Sequence, residues 1–481
     1  MKNTGWNFDN TYEKLPSSFY RKVQLSPVVS PTLVLLNKKL AKELGLDPQL
    51  LKNMEGLSIL SGSQLPEGGS SISQAYMGHQ FGHLTMLGDG RALLIGEQIT
   101  PEGKRYDLQY KGSGPTPFSR GGDGRAILGP MLREYIIGEA MHNLGIASSR
   151  TLSVSLTGQK IFRGSLKKGA ILVRVAASHI RIGTFVYAAH QKNTEDLKAL
   201  ADYTIDRLFP EIKNSQEPYL DFYKKVITLQ AQLVAKWMLV GFIHGVMNSD
   251  NVAISGETMD YGPCAFMDIY RAITVFSSID SYGRYSYENQ PSIGMWNLTR
   301  LGETLIPIID REENLAVEKL KSALEEYPKI YNQAYYTGLG EKLGLVGLEP
   351  ESDKFLDELL QLLEKNKLDY TNTFLDLTFK NFEKPVYTSK EFLAWKEKWQ
   401  ELLKKQSKSI EEVEDIMKKH NPAIIPRNYW VEKAIEKADK GEYELLFDLL
   451  KALEDPYAHN EHQKKYSIVP ENMNYVTFCG T

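Results

Sequence analysis

Cysteine is almost absent: the 481 residues include only Cys264 and Cys479. A secreted chain of this length stapled by disulfides would carry many more, so a reducing, cytoplasmic compartment is expected. No stretch of about 18 apolar residues occurs, and the opening segment has neither an apolar signal core nor an Arg-rich transit pattern. A spanning helix and a membrane partner are therefore not expected. Charge of one sign is equally scarce. With Lys+Arg 57 against Asp+Glu 60, the net charge is −3, and bulk composition calls for no nucleic acid. A clean internal repeat is missing, and so is a GKS/T phosphate loop. The length exceeds one usual core and predicts two or three structural units.

What is present centres on residues 244–268. The polar run Asn248-Ser249-Asp250-Asn251 follows a helical apolar pattern, so it falls on a loop, where catalytic groups tend to be held. Asp260-Tyr261-Gly262 comes nine positions after Asn251. A carboxamide and a carboxylate converging across a short hairpin suit a hard cation such as Mg²⁺, with Mn²⁺ as the alternative. In phosphotransferases a catalytic His is followed two residues on by a base Asp, then by a metal-binding Asn and an Asp-x-Gly. Laid on His244, that spacing places Asn251 and Asp260 at the metal positions and Val246 where the base belongs. Asp250 is the nearest carboxylate able to replace it. Plain turn chemistry is the competing explanation for the Asn-Ser-Asp-Asn cluster.

Upstream, a strand is predicted over 92–99 and a second over 105–111, with Tyr106, Leu108 and Tyr110 on one face and Asp107, Gln109 and Lys111 on the other. Gly88 and Gly90 beside Arg91 let backbone N–H groups and a guanidinium approach phosphate oxygens. Lys111 opens a second glycine-rich stretch carrying Arg120, Asp123, Gly124 and Arg125. Pro130 starts a helix that runs until Gly145 and carries Glu134 and Glu139, either of which can orient Lys111. Three short strands are predicted over 151–156, 160–163 and 170–176. Arg174 and Arg181 mark the change from strands to helices, and both can meet phosphates. Helices are expected over 194–208 and 219–241, and the chain from 311 to 460 reads as amphipathic helices. His79 and His83 have too few neighbouring ligands for zinc and are expected to be packed and hydrogen-bonded. The tyrosine-rich run 277–287 is read as packing or as a substrate-facing segment.

These residues together resemble the selenoprotein O (YdiU) family of kinase-like protein adenylyltransferases. The match rests on Tyr76-Met-Gly-His-Gln-Phe-Gly, Leu87-Gly-Asp-Gly-Arg-Ala, Lys111-Gly-Ser-Gly, Asp123-Gly-Arg-Ala, Arg133-Glu, Phe242-Ile-His-Gly-Val-Met-Asn-Ser-Asp-Asn and Asp260-Tyr-Gly-Pro. The resemblance implies transfer of AMP from ATP to Ser, Thr or Tyr hydroxyls of proteins, with ATP reversed relative to kinases. It implies nucleotide contacts from Gly88, Gly90, Arg91, Lys111, Asp123, Gly124, Arg174 and Arg181, with Glu134 as the partner of Lys111. Asp250 becomes the proton acceptor, and Asn251 and Asp260 the Mg²⁺ ligands. A kinase and an inactive nucleotide-binding pseudokinase are the alternatives. The family's Cys after the Asp-Tyr-Gly segment is missing here, and Cys264 is the only substitute for pairing with Cys479.

The expected fold is α+β, a protein-kinase-like two-lobe architecture with an additional helical region. Its expected parts are an N-terminal lead-in (1–75), a sheet-rich nucleotide lobe (76–178), a helical catalytic lobe with the metal site (179–310) and a helical C-terminal region (311–481).

Overall fold

The computed structural model describes residues 4–347, 353–468 and 477. Its fold is mixed α and β, with one main antiparallel sheet and many helices. Across the sheet the strands run Tyr20–Lys22, Ile72–Gln74, Ala92–Ile99, Arg105–Lys111, Ser165–Ala176, Arg150–Arg163 and Thr32–Leu36, while Ala126–Ile127 pairs beside Ser165–Ala176. Both edge strands therefore come from the first 36 residues.

Period-two alternation decides which face each side chain takes. Leu108 and Tyr110 are fully buried in a small core shared with Leu93, Ile95, Leu152, Val173 and Leu40. Leu40 belongs to the helix Lys38–Glu43, which Asn37 caps by accepting a hydrogen bond from the Leu40 N–H. The opposite face of Arg105–Lys111 presents Asp107, Gln109 and Lys111, all buried. Polar side chains on a buried sheet face need partners, and this face supplies the site.

In place of three short strands over 151–156, 160–163 and 170–176, the chain forms two long ones, Arg150–Arg163 and Ser165–Ala176. Gly158 lies between the first two predicted strands at φ +74, a left-handed backbone that glycine tolerates, so the turn signal becomes an irregularity inside a continuous strand. The helix Leu128–Asn143 crosses the sheet and is buried along most of its length, ending where Gly145 takes φ +77. A helix not anticipated from the sequence, Ile182–His190, follows the last strand. The helices Thr194–Leu208 and Pro218–Leu239 form as expected, the second with Pro218 in its first turn.

A single apolar core then runs from Tyr12 through Tyr223, Tyr327 and Tyr370 to Tyr466, so the helices beyond residue 311 share it with the rest of the chain. No helix among the described residues is long and apolar enough to cross a membrane.

Candidate active site

Where the polar face of the sheet meets the loop at 244–268, a cleft of about 630 Å³ opens. Lys111, at the end of its strand, donates to Glu134 on the crossing helix and lies 3.1 Å from Asp260 Oδ1. Arg174, on the neighbouring strand and level with Gln109, donates to the same glutamate through Nε at 2.7 Å, with Nη2 2.5 Å from the same oxygen. Of the two candidates on that helix, Glu134 is the lysine's partner, because Glu139 is engaged by Arg150 at 2.6 and 3.1 Å. Burial alone would raise the carboxyls of Glu134 and Asp260. Arg174 and Lys111 outweigh it at Glu134, while Lys111, Arg174 and Arg91 outweigh it at Asp260, so both are held below their ordinary range and remain anionic. Asp260 also adopts φ +66, a conformation rare for a non-glycine residue and typical of functional loops.

Opposite stands the turn Ser249–Asn251. A single antiparallel bridge between Val252 and Thr258 folds the intervening chain back and brings Asn251 and Asp260 to the same cleft. Asn251 donates through Nδ2 to the Val246 carbonyl at 3.0 Å, which fixes the amide and leaves its oxygen available. His244 is buried, with Nε2 3.0 Å from the Met259 carbonyl, and holds the two halves of the loop together rather than facing the cleft. Asp250 is 7% exposed, and its Oδ1 is buried without a hydrogen-bond partner. Burial pushes its carboxyl up to about 6. The hairpin Met77–Gln80/His83–Met86 packs on this turn, and a Cβ on Gly78 would lie 2.0 Å from Asp250 Oδ1. Only glycine permits that approach.

Arg181 completes this wall. Its guanidinium stacks on Tyr76 at 4.2 Å and donates through Nη1 to the Asp250 carbonyl at 3.2 Å. Its buried Nη2 has no hydrogen-bond partner and sits 3.9 Å from Asp89 Oδ1. Gly88, Gly90, Arg91, Asp123 and Gly124 all line the cleft as well. Asp123 is half-exposed and held bidentately by Arg163 at 2.6 and 2.9 Å. At Gly124, φ is +62 and a Cβ would collide with the Gly114 carbonyl at 2.1 Å, which explains the residue type. Every predicted nucleotide and metal position thus lines one cleft except Glu134, which stands behind it.

Asp89, Tyr76, Arg120 and Asn248, which the sequence places within motifs without assigning them a site position, line the same cleft. Asp89 is buried and accepts from Gln109 at 3.0 Å and from the Gln74 N–H at 3.2 Å; its position between two glycines was the available signal. His79 is hydrogen-bonded to Ser249 as expected, whereas His83 is exposed at the hairpin turn. Cys264 is fully buried, and burial pushes its thiol up to about 12, so it stays protonated. Cys479 lies outside the described residues. Nearby Thr477 is described, and its hydroxyl donates to the Pro263 carbonyl at 2.5 Å.

No group of three or more His, Cys, Asp or Glu suited to a metal occurs among the described residues. Two oxygen ligands, Asn251 and Asp260, still fit Mg²⁺, which is usually held by one or two carboxylates together with substrate phosphates and waters.

A lysine clamped by a helix glutamate and paired with an Asp, with an Asn lining the same cationic cleft, is an arrangement that nucleotide-handling transferases use. Comparison with known proteins gives the family. The model of the family described as protein adenylyltransferase SelO matches residues 3–454, and the chain belongs to that family. It is 54% identical to the protein nucleotidyltransferase YdiU of Bacillus cytotoxicus over 99% of this chain and 98% of that protein. The Brevibacillus brevis protein of the same name is also 54% identical, over the same shares, and that of Geobacillus kaustophilus is 51% identical over 99% of each chain.

Proposed function

We infer that this chain is a protein adenylyltransferase, moving AMP from ATP to the hydroxyl of a protein Ser, Thr or Tyr with release of pyrophosphate. The observation that carries the reading is Asp250, a buried carboxylate among the residues lining the cleft, in a loop whose usual base position holds Val246. The acceptor oxygen attacks the α-phosphorus, the P–O bond to the β-phosphate breaks, and the hydroxyl proton passes to Asp250. With its carboxyl at about 6, Asp250 is largely ionised at neutral pH and basic enough to act.

Lys111, Arg91, Arg174 and Arg181 hold phosphate oxygens, and Glu134 keeps Lys111 and Arg174 aimed. Gly88, Gly90, Asp123 and Gly124 shape the backbone around the nucleotide. Asn251 and Asp260 would hold Mg²⁺, which supplies charge neutralisation on the phosphates.

The same placement supports a kinase-like architecture, with a nucleotide lobe over 76–178 behind a lead-in over 1–75, a catalytic lobe over 179–310 and a helical region over 311–481. Two cysteines in 481 residues fit a cytoplasmic setting. ATP labelled separately at the α- and γ-phosphate tests the reaction: α-label on acceptor protein is expected. γ-Label would mean a kinase, and neither label would mean a binding module.

A further inference from the structure

Beside the transfer cleft, two guanidinium groups share one indole. Arg284 lies in the turns after Asp280 and Arg300 on the helix Gln290–Ile309, and their Cζ atoms stand 4.7 and 5.1 Å from the Trp296 ring centroid. The His79 ring meets the same indole edge-on at 5.4 Å. Burial and the two neighbouring cations push the His79 imidazole below its ordinary range, so it is neutral at physiological pH.

The two cations sit on one indole, and the chain sets a single carboxylate, Glu303, against the pair among the described residues. Arg284 makes no ion pair among the described residues, and its Nε and Nη2, with the Nε of Arg300, are buried without a hydrogen-bond partner. Nearby carboxylates are engaged elsewhere. Asp280 accepts from the backbone N–H groups of Arg284 and Tyr285 at 2.9 and 2.8 Å, while half-exposed Glu303 takes only Nη2 of Arg300 at 2.7 Å. Both arginines are half-buried and only Glu303 is paired with either of them among the described residues, so the patch keeps a net positive charge open to an anionic group from outside the chain. A guanidinium held against Trp296 meets an incoming carboxylate with less side-chain ordering than a free one.

The patch is tied to the proton acceptor. His79 Nδ1 is 3.0 Å from the hydroxyl of Ser249, the residue before Asp250. Arg284 packs over the hairpin turn, where a Cβ on Gly82 would lie 3.8 Å from its Cζ. The Tyr285 hydroxyl donates to Asn248 Oδ1 at 2.6 Å, and that oxygen also accepts from the Phe81 N–H at 3.1 Å. Phe81 and Asn248 both line the cleft. A segment whose hydroxyl reaches Asp250 can thus continue over residues 81–82 onto the arginine pair.

We propose that Arg284 and Arg300, stacked on Trp296, form an anion subsite that binds a carboxylate side chain of the acceptor protein close in sequence to the hydroxyl that receives AMP. This rests on the adenylyl-transfer reading. The test compares a fluorescein-labelled peptide carrying a tyrosine followed by aspartates with the same peptide carrying asparagines. Anisotropy reads binding, and α-labelled ATP reads transfer. The aspartate peptide should bind about tenfold more tightly to the unmodified protein. R284Q and R300Q should each remove most of that difference with ATP affinity unchanged. Arg284→Lys keeps the charge and the packing stem but loses the fork, and should show an intermediate preference in a protein of unchanged melting temperature.

Equal binding of the two peptides, or an aspartate preference that survives R284Q combined with R300Q, overturns the proposal. Binding of inorganic phosphate without discrimination between the peptides also overturns it, as a small-anion site only. An arginine-dependent preference with no α-label on either peptide leaves the subsite standing and removes the adenylyl-transfer reading.

Discussion

At the residue scale the decisive group is Asp250. Asp250→Asn keeps size and hydrogen-bonding capacity but loses basicity, so AMP transfer should fall by ~10²–10⁴-fold while ATP affinity, read by calorimetry, is retained. A wild-type rate in this variant would make Asp250 a structural loop residue. The pH profile carries the same assignment. Above about 6 the carboxyl is ionised and accepts the proton, and below it the group is protonated and idle, so the rate should drop as pH falls through about 6. That limb should vanish from the residual activity of the asparagine variant. Asp260→Ala should behave differently: it removes an oxygen ligand and leaves Lys111 with one carboxylate partner, so metal-dependent ATP binding itself should be lost. Normal Mg²⁺-dependent ATP affinity in this variant would remove Asp260 from the metal site.

Among the elements, the hairpin Met77–Gln80/His83–Met86 seats the turn Ser249–Asn251 through Gly78. Gly78→Ala drives a methyl group into the Asp250 carboxylate, so transfer should be lost with little change in ATP affinity. The strand-to-helix crossing at 177–181 holds another buried carboxyl. Glu257 accepts from the Ala177 N–H at 3.0 and 3.2 Å, and burial pushes it up to about 7 from an ordinary 4.5. Its folded-state pKa is raised, so the folded protein binds the proton more tightly than the unfolded chain. Stability is therefore lost as pH rises from about 4.5 through about 7, by about 3 kcal/mol in full. Glu257→Gln escapes that loss and should melt higher than the parent above pH 7, with little difference below pH 5. Parallel pH dependence of the two melting temperatures would exclude this role.

The molecule beyond its small sheet core is tied together by one large core and by buried charges that pair residues far apart in sequence. Arg427, 1% exposed, pairs with Asp369 at 2.7 Å and with Asp268, the last residue of the 244–268 loop, at 2.5 Å. Arg427→Leu strands both carboxylates and should destabilise the protein by about 3–5 kcal/mol. Arg133 performs a similar task from the residue beside Glu134, donating to Glu432 and Asn428 at 2.7 Å and to the Cys264 carbonyl. Because the helices beyond 311 share the apolar core with the catalytic region, a chain ending at 310 should fail to give a cooperative thermal transition. A sharp calorimetric peak from it would show that the C-terminal helices are an independent unit.

Local pattern determined much of this without a structure. Alternation put Leu108 and Tyr110 on one face and Lys111 on the other, and helical spacing with Pro130 and Gly145 marked the helix that carries Glu134. The spacing of Asn251 and Asp260 was legible too, since a short connection keeps its two ends close. Other features depended on contacts between residues far apart in sequence, about which local pattern says nothing. Local pattern left Glu134 and Glu139 open and the family resemblance chose Glu134; the physical reason, Arg150 on a separate strand claiming Glu139, came only with the tertiary structure. Continuity of Arg150–Arg163 through Gly158 was decided by pairing along both edges of that strand, not by its own turn signal. Asp89 took its place through Gln74 and Gln109 and Tyr76 through Arg181, and Asp250 was covered only when a hairpin about 170 residues away in the chain closed over the turn Ser249–Asn251.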